Sequence, residues 1–305
     1  MSKQGRVIQS TGKWYKVAEK DGDTIYDCRL PGRFRLDKKE VTNPVAVGDN
    51  VTFTVESDGA GTITEIHERE NYIPRQATHG RRGEQILAAN IDRAWVVQSV
   101  RQPKLNLGFI DRFLVTCEAY EIPAGIIVNK MDLAKKGDEA FVEDIRELYI
   151  GLGYSFLTTS IHNEESISRL EKELKAKTSV FIGPSGTGKT SLLNAVQPNL
   201  GLRTGEVSGY SNKGKHTTTF ATLIPVSERG YIVDTPGIRE LGLVNIEKSE
   251  LSLFFPEMLE PREHCKYYNC THTHEPGCGV VKAFEEGRID PDRYNSYINI
   301  LQSLD

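Results

Sequence analysis

Apolar and polar side chains alternate over short stretches in the N-terminal part of the chain, between residues 5 and 66. The alternation is clearest at 14–17 and 51–55, and turns that combine glycine with aspartate or proline separate the stretches. Short strands with frequent turns are typical of small antiparallel barrels. We therefore predict an OB-like β-barrel.

Farther along, the pattern changes to continuous apolar runs that alternate with helical segments. The apolar runs lie at 93–100, 124–128 and 179–182, and the helical patterns lie at 109–120 and 139–152. Buried strands separated by helices are typical of a mostly parallel sheet with helices on both faces. This part of the chain is therefore predicted to be an α/β domain.

These changes in pattern divide the chain into four regions. We predict an OB-like RNA-binding barrel over 1–70, a basic linker over 71–86, an α/β domain over 87–242 and a mostly helical domain over 243–305. The length of 305 residues fits such a multidomain α/β protein, at about 150 residues per domain.

Basic and aromatic residues alternate within the predicted barrel, at 13–16 and 29–39. Such residues bind single-stranded nucleic acid when the aromatic rings stack on bases. The same residues also suit an ordinary barrel, with rings inside and charges outside. Both interpretations stay open.

Composition restricts the class of protein further. The net charge of −4, with 38% hydrophobic and 26% charged residues, indicates a globular protein without a general attraction for nucleic acid. No apolar run is long enough for a membrane helix, and the first residues lack a secretory signal. The five cysteines are odd in number and do not form a disulfide framework, which favours a reducing, cytoplasmic setting and no membrane partner.

One segment has the pattern of a phosphate-binding loop between a strand and a helix. Its residues are Gly183, Pro184, Ser185, Gly186, Thr187, Gly188, Lys189 and Thr190. In such a loop, backbone N–H groups surround the phosphates, the lysine contributes positive charge and the threonine hydroxyl coordinates Mg2+. We predict a nucleotide site in which Lys189 binds the terminal phosphates and Thr190 binds Mg2+.

Two further segments have the character of nucleotide-sensing switches. Asp234 and Gly237 belong to an Asp-Thr-Pro-Gly sequence after an apolar strand, where Asp234 is expected to hold Mg2+ through water and Gly237 to contact the γ-phosphate. Between this sequence and the phosphate loop lies a threonine run, in which we predict Thr218 as the Mg2+ ligand. Thr217 and Thr219 are close alternatives.

A second group of motifs is predicted to select the base. Asn129, Lys130, Met131 and Asp132 follow an apolar strand, and the Asp132 carboxylate is expected to accept hydrogen bonds from two guanine N–H groups that adenine lacks. Thr159 and Ser160 follow the next apolar stretch, and a backbone N–H at Ser160 is expected to contact guanine O6.

The base-selecting motifs precede the phosphate loop, which reverses the order found in Ras-like GTPases. A circular permutation explains this order, because joining the old termini and cutting after the Asp234 strand leaves every motif in the same sheet. The chain that leaves the switch then runs directly into the C-terminal region.

That region contains a cluster of potential metal ligands. Cys265, Cys270 and Cys278 lie within fourteen residues of one another, in a segment too polar to form its own core. Three thiolates and one imidazole form a closed tetrahedral site for one structural Zn2+. The residues alone leave His264, His272 and His274 as candidates for the imidazole.

The motif order, the barrel-like start and the cysteine cluster together resemble the RsgA (YjeQ) family of circularly permuted GTPases, over almost the whole chain. The resemblance implies an OB-fold, a permuted GTPase domain and a zinc domain. It also implies GTP and GDP as ligands and a role in late assembly of the small (30S) ribosomal subunit and its 16S rRNA, with hydrolysis stimulated by the subunit and coupled to release. It favours His272 as the fourth zinc ligand, and we expect a monomer.

Residue 238, after the Asp-Thr-Pro-Gly sequence, is Ile, where many Ras-like GTPases have a water-orienting Gln. Its absence predicts slow hydrolysis in isolation. His216 is the nearest ionisable residue to orient the water and is therefore a candidate catalytic residue, although an ordinary loop histidine fits equally well.

Two other functions stay open on the sequence. A P-loop ATPase or small-molecule kinase would prefer ATP and would make the Asn129 motif coincidental. A non-catalytic RNA-binding protein stabilised by nucleotide would bind GTP without hydrolysing it.

Overall fold

The structure is a computed structural model that describes residues 2–11, 13–32, 34, 44–75, 85–198, 221–226, 228–234 and 246–304. The strands are β1 (Ser2–Ser10), β2 (Trp14–Glu19), β3 (Ile25–Arg29), β4 (Asn50–Val55), β5 (Gly61–Ile66), β6 (Tyr72–Arg75), β7 (Gln85–Ala89), β8 (Arg93–Ser99), β9 (Ala124–Asn129), β10 (Ser155–Thr158), β11 (Thr178–Ile182), β12 (Thr222–Val226) and β13 (Gly230–Asp234). The helices are α1 (Leu107–Ala119), α2 (Asp138–Gly151), α3 (Glu164–Leu174), α4 (Lys189–Val196), α5 (Leu259–Arg262), α6 (Gly279–Glu285) and α7 (Pro291–Ser303).

Strands β1 to β5 close into a barrel, as the alternating pattern predicts. β1 pairs with β2 and β4, β3 pairs with β2 and β5, and β4 pairs with β5. Alternate side chains such as Val7, Val17 and Phe53 point inward and are buried. The aromatic side chains of the barrel serve both as core and as surface. Tyr15 lies in the core, whereas Trp14 is partly exposed beneath the Arg29 guanidinium.

The α/β domain has the predicted parallel sheet, in the order β10-β9-β8-β11-β13-β12. Neighbouring strands in the series β10-β9-β8-β11-β13 pair in parallel, whereas β12 pairs antiparallel to β13. Apolar side chains of α1 and α2 pack on one face, and those of α3 and α4 pack on the other. The carboxyl ends of β8, β9, β11 and β13 therefore meet at one edge, where the predicted nucleotide motifs begin.

The barrel joins this sheet directly. Gln9 in β1 pairs with Thr222 in β12, so one continuous sheet runs from the barrel into the α/β domain. The Asn90 side chain also crosses this junction, where its Nδ2 donates to the Gly48 carbonyl at 3.0 Å. The two domains are thus connected by both backbone pairing and side chains.

The predicted linker has regular structure at both ends. Strands β6 and β7 pair as an antiparallel ribbon, and the residues between them, 76–84, lie outside the described part of the chain. Hydrogen bonds between Asn71 and Ile91, with Ile91 N–H to Asn71 Oδ1 at 2.8 Å, anchor the ribbon to the start of β8.

The C-terminal domain is mostly helical, as predicted, and has its own apolar core. Phe255, Val280, Tyr297 and Ile300 are buried in it. Val115 from α1 of the α/β domain is buried in the same core. Among the described residues, no helix combines the length and the hydropathy needed to cross a lipid bilayer.

Candidate functional site

The phosphate-loop residues lie between β11 and α4, in the context that the motif requires. Gly183 lies so close to β8 that a Cβ atom would come within 2.2 Å of the Val97 carbonyl oxygen. Gly188 has a positive φ of 92° and a Cβ there would come within 2.4 Å of Asn129 Nδ2. Both positions therefore require glycine, and the loop fits tightly against the two neighbouring strands.

Two side chains of this loop, Lys189 and Thr187, are hydrogen-bonded to carbonyl oxygens of the loop itself. Lys189 Nζ donates to the carbonyl oxygens of Gly183 at 2.7 Å and Pro184 at 2.9 Å, so the ammonium group lies inside the loop. Thr187 Oγ1 donates to the Pro184 carbonyl at 3.1 Å. Thr190 is buried in the first turn of α4, beside Lys189. The loop thus presents a cation and a hydroxyl at the N-terminus of a helix, which favours an anion such as a phosphate group.

Asn129 and Lys130 connect the predicted base-selecting motif to the phosphate loop. Asn129 Nδ2 donates to the Thr187 carbonyl at 2.9 Å, and its Oδ1 accepts from Thr159 Oγ1 at 3.0 Å. Lys130 Nζ donates to the Gly186 carbonyl at 2.6 Å and to the Gln102 carbonyl at 2.7 Å. Motifs that are 58 residues apart in the chain therefore form one site.

Asp132 lies at the exposed rim of this site. Ser160 Oγ donates to Asp132 Oδ1 at 2.6 Å, which orients the carboxylate. Met131, between Lys130 and Asp132, donates its N–H to the Thr159 carbonyl at 3.1 Å and ties the two base-selecting segments together. A carboxylate held at one oxygen keeps its second oxygen for further donors.

The backbone N–H of Ser160, which we expected to contact guanine O6, donates to Ser166 Oγ at 3.2 Å instead. The N–H of the next residue, Ile161, makes no hydrogen bond with any other described residue, and Ile161 is exposed.

Asp234 ends β13, which runs parallel to the phosphate-loop strand β11. Burial raises the pKa of its carboxyl above the usual range. A cation beside this carboxylate would offset that desolvation. The other predicted switch residues, His216, Thr217, Thr218, Thr219 and Gly237, lie outside the described residues.

Near the C-terminus, the structure brings Cys265, Cys270, His272 and Cys278 together. Their ligand atoms all lie within 4.8 Å of one another. Cys265 and Cys278 Sγ are 3.8 Å apart, and each is 3.5 Å from His272 Nδ1. Tetrahedral zinc, with Zn–S near 2.3 Å and Zn–N near 2.0 Å, requires about 3.8 Å and about 3.5 Å for these separations. The spacing of Cys265, Cys278 and His272 therefore matches a tetrahedral zinc site, and Cys270 Sγ, within 4.8 Å of all three, could supply the fourth ligand.

The two other histidines have different partners. His274 Nδ1 lies 2.7 Å from Thr273 Oγ1, and His264 Nε2 lies 3.0 Å from Glu260 Oε1. Of the three candidate histidines, His272 is therefore the one that the structure groups with the thiols.

Glu275 organises the loop that carries His272. Its carboxylate accepts hydrogen bonds from the N–H groups of Thr271 at 2.7 Å, Thr273 at 3.1 Å and His274 at 3.2 Å. Burial acts to raise the pKa of Glu275, but the hydrogen bonds from Thr271 and the other donors outweigh it and hold the pKa well below its usual range. The carboxylate is therefore ionised and fixes a loop in which His272 has a positive φ of 58°.

Burial disfavours charge on Cys270, His272 and Cys278. Burial raises the pKa of Cys270 to about 12 and also raises that of Cys278. Burial, aided by the Arg262 charge, lowers the pKa of His272. A metal ion that binds here has to displace the thiol protons.

Comparison with known proteins matches nearly the whole chain. The family model described as RsgA GTPase matches residues 66–244, and the RsgA N-terminal domain model matches residues 4–63. The chain is 43% identical over 299 residues to a protein of Phocaeicola vulgatus named small ribosomal subunit biogenesis GTPase RsgA, covering 98% of this chain and 96% of that protein. A protein of Bacteroides fragilis with the same name is 42% identical over 299 residues, with the same coverage.

Two solved structures are also similar over the full chain. The crystal structure of YjeQ from Thermotoga maritima has a TM-score of 0.83 and 33% identity, and covers 100% of this chain and 99% of that one. YloQ, described as a circularly permuted GTPase, has a TM-score of 0.78 and 32% identity, with 100% and 95% covered. The permuted sheet order is thus shared with proteins of known structure.

Proposed function

Because the chain belongs to the RsgA family of GTPases, we propose that it is a ribosome-associated GTPase that hydrolyses GTP to GDP and phosphate during assembly of the small (30S) ribosomal subunit. The observation that carries this proposal is the bond from Asn129 to Thr187, together with the bond from Lys130 to Gly186. These contacts join a guanine-selecting motif to a phosphate loop in one site. An ATP-binding P-loop protein has no need of that connection.

Within this site, Asp132 accepts hydrogen bonds from the guanine N1–H and 2-amino groups. Ser160 orients its carboxylate, and the free N–H of Ile161 donates to guanine O6 in place of the Ser160 N–H. Adenine carries an amino group where guanine has O6, so it would place a donor against this N–H. Base selection therefore rests on one acceptor and one donor at the same rim.

At the other end of the site, Lys189 moves its ammonium group from the loop carbonyls to the β- and γ-phosphates. Thr190, Thr218 and Asp234 hold Mg2+, which when bound neutralises charge on these phosphates. Gly237 donates to the γ-phosphate and His216 orients the attacking water. Because residue 238 is not Gln, hydrolysis by the isolated protein is slow, and contact with the subunit positions His216 for catalysis.

The remaining domains supply the contact with RNA. We assign 16S rRNA binding to the barrel over 1–70, where Trp14 lies under Arg29 at the surface, and to the zinc domain over 243–305, with 71–86 as the linker and 87–242 as the GTPase domain. One Zn2+ at Cys265, Cys270, His272 and Cys278 is structural, since four ligands leave no position open. The protein acts in the cytoplasm as a monomer.

Hydrolysis of GTP and of ATP by the purified protein, alone and with small or large ribosomal subunits, tests the proposal. We expect slow GTP hydrolysis alone, stimulation by small subunits only, and loss of activity in Lys189→Ala. Equal use of ATP, or no response to small subunits, would contradict it. GTP binding without hydrolysis at any subunit concentration would instead indicate an RNA-binding protein in which nucleotide is structural.

A further inference from the structure

Helix α1 contributes to two hydrophobic cores. Ile110 and Leu114 are buried in the core of the α/β domain, and Val115, on the other side of the helix, is buried in the core of the C-terminal domain. A displacement of α1 relative to either core would open gaps, because protein interiors are closely packed. This helix therefore cannot shift in one domain without affecting the other.

A buried group of charged side chains fixes α1 to α7. Arg293 in α7 is 1% exposed, and its Nη1 donates to Asp111 Oδ1 in α1 at 2.7 Å. Its Nε donates to Glu257 Oε1 at 2.6 Å, and Tyr149 in α2 donates its hydroxyl to Asp111 Oδ1 at 2.7 Å. One guanidinium thus joins carboxylates from both domains in an environment where an unpaired charge is costly.

The N-terminal end of α1 is fixed near the phosphate loop. The segment that precedes it, 101–106, supplies the Gln102 carbonyl that Lys130 Nζ binds together with the Gly186 carbonyl. Pro103 Cδ lies 3.8 Å from the position of a Cβ on Gly186. Asn106 caps the helix by accepting from the Phe109 N–H at 3.0 Å.

Taken together, these contacts form a continuous connection from the phosphate loop through 101–106 and α1 to Arg293. We infer that α1 and the Arg293–Asp111 pair couple the nucleotide site to the docking of the C-terminal domain, so that bound nucleotide strengthens the docking of α7 and docking strengthens nucleotide binding. Coupling of this kind is reciprocal by thermodynamic necessity. The inference rests on the proposed nucleotide site and makes Arg293 and Asp111 positioning residues.

A surface contact between the same two helices offers a matched control. Arg112 Nη2 donates to Ser303 Oγ at 2.7 Å, and both side chains are at the exposed side of the α1–α7 contact. Arg112→Ala removes a bond between α1 and α7 without touching the buried charges. Asp111→Asn removes the buried negative charge but keeps an oxygen that accepts from Tyr149 and Arg293, so we expect this variant to fold.

The experiment measures hydrogen exchange of the α7 amides in the full-length, zinc-loaded protein, without nucleotide, with GDP and with a non-hydrolysable GTP analogue. We expect nucleotide to slow exchange in α7 at least about fivefold in the wild type, the lower end of typical coupling. The effect should fall below about twofold in Asp111→Asn and persist in Arg112→Ala. By reciprocity, the GDP dissociation constant should rise about fivefold in Asp111→Asn only.

Thermal unfolding of each variant separates loss of stability from loss of coupling. If wild-type α7 exchanges at the same rate with and without bound nucleotide, or if the two variants behave alike, the inference is wrong. Calorimetry on the same samples first shows whether GDP binds. Absence of binding would overturn the nucleotide site itself, whereas binding without a response in α7 would overturn only the coupling.

Discussion

Replacing Asn129 by Ala tests whether the base-selecting motif and the phosphate loop act as one site. Asn129 is 1% exposed, and its amide makes one bond to the loop at Thr187 and accepts one from Thr159. The substitution removes both bonds and leaves the Gly188 position unchanged. Its effect should therefore be confined to the connection between the two motifs.

The expected magnitude follows from the burial of the two partners. Thr187 is 0% exposed and Thr159 is 1% exposed, so water does not readily replace the lost amide. A buried polar group that loses its partner costs about 1–3 kcal/mol. In the free protein the loop can move so that water binds the unpaired groups, which recovers part of this cost. Bound nucleotide covers the loop and prevents that movement. We therefore expect the substitution to reduce the free energy of GDP binding by about 2 kcal/mol, which corresponds to about 30-fold weaker binding.

Asn71→Ala is the matched control for this measurement. Asn71 is also a buried asparagine, with side-chain bonds to the N–H and carbonyl of Ile91 and to the Glu121 carbonyl, but it lies at the opposite end of the sheet. Both variants should lose stability in thermal unfolding, and only Asn129→Ala should lose GDP affinity in titration with a fluorescent GDP. A GDP dissociation constant within threefold of the wild type for Asn129→Ala would refute the reasoning.

Three other substitutions or conditions give distinct outcomes. Asp132→Asn replaces one acceptor oxygen by a donor, so GTP affinity in competition binding should fall about 100-fold without a gain for ATP; an unchanged preference for GTP would contradict this. Glu275→Gln weakens the hydrogen bonds that hold the His272 loop, and a chromogenic chelator should remove zinc about tenfold faster than from the exposed control Glu263→Gln. Because burial raises the pKa values of the Cys270 and Cys278 thiols, zinc must displace their protons, and its apparent affinity should rise up to about tenfold per pH unit for each thiol proton released between pH 6 and 8. A zinc affinity independent of pH would show that the thiols are already ionised.

The parts of the site that sequence reasoning reached are those encoded locally. The phosphate loop combines glycines, Lys189 and Thr190 in eight consecutive residues between a strand and a helix, and the alternation in the barrel is equally local. The parallel sheet order, with β11 between β8 and β13, follows once a permutation is assumed. In each case short-range pattern and a small set of topologies were sufficient.

The remaining features depend on contacts between distant residues. Arg293 is an arginine on a C-terminal helix, and nothing in its neighbourhood predicts burial against Asp111, which is 182 residues away. His272 and His274 differ only in the backbone turn that Glu275 organises. The Ser160 N–H, which we expected to contact guanine O6, donates to Ser166 Oγ, six residues farther along the chain. Tertiary packing determines each of these features, and neither composition nor residue spacing predicts it.

The permutation itself explains where the two accessory domains join the chain, because the barrel precedes β8 and the C-terminal domain follows β13. In the sheet, β12 and β13 lie on one side of the phosphate-loop strand β11, and the base-selecting strands lie on the other. β1 of the barrel pairs with β12 at Thr222, shortly after the predicted switch threonines, and the chain that follows β13 leads to the C-terminal domain. In the order of Ras-like GTPases the chain after β13 would continue to β8 instead. In the function proposed above, a change at the γ-phosphate would reach the barrel through β13 and β12, which pair with each other and, at Thr222, with β1. The coupling inferred above would add a second route, which runs through α1 from the side of the phosphate loop that contacts Asn129 and Lys130 to the C-terminal domain.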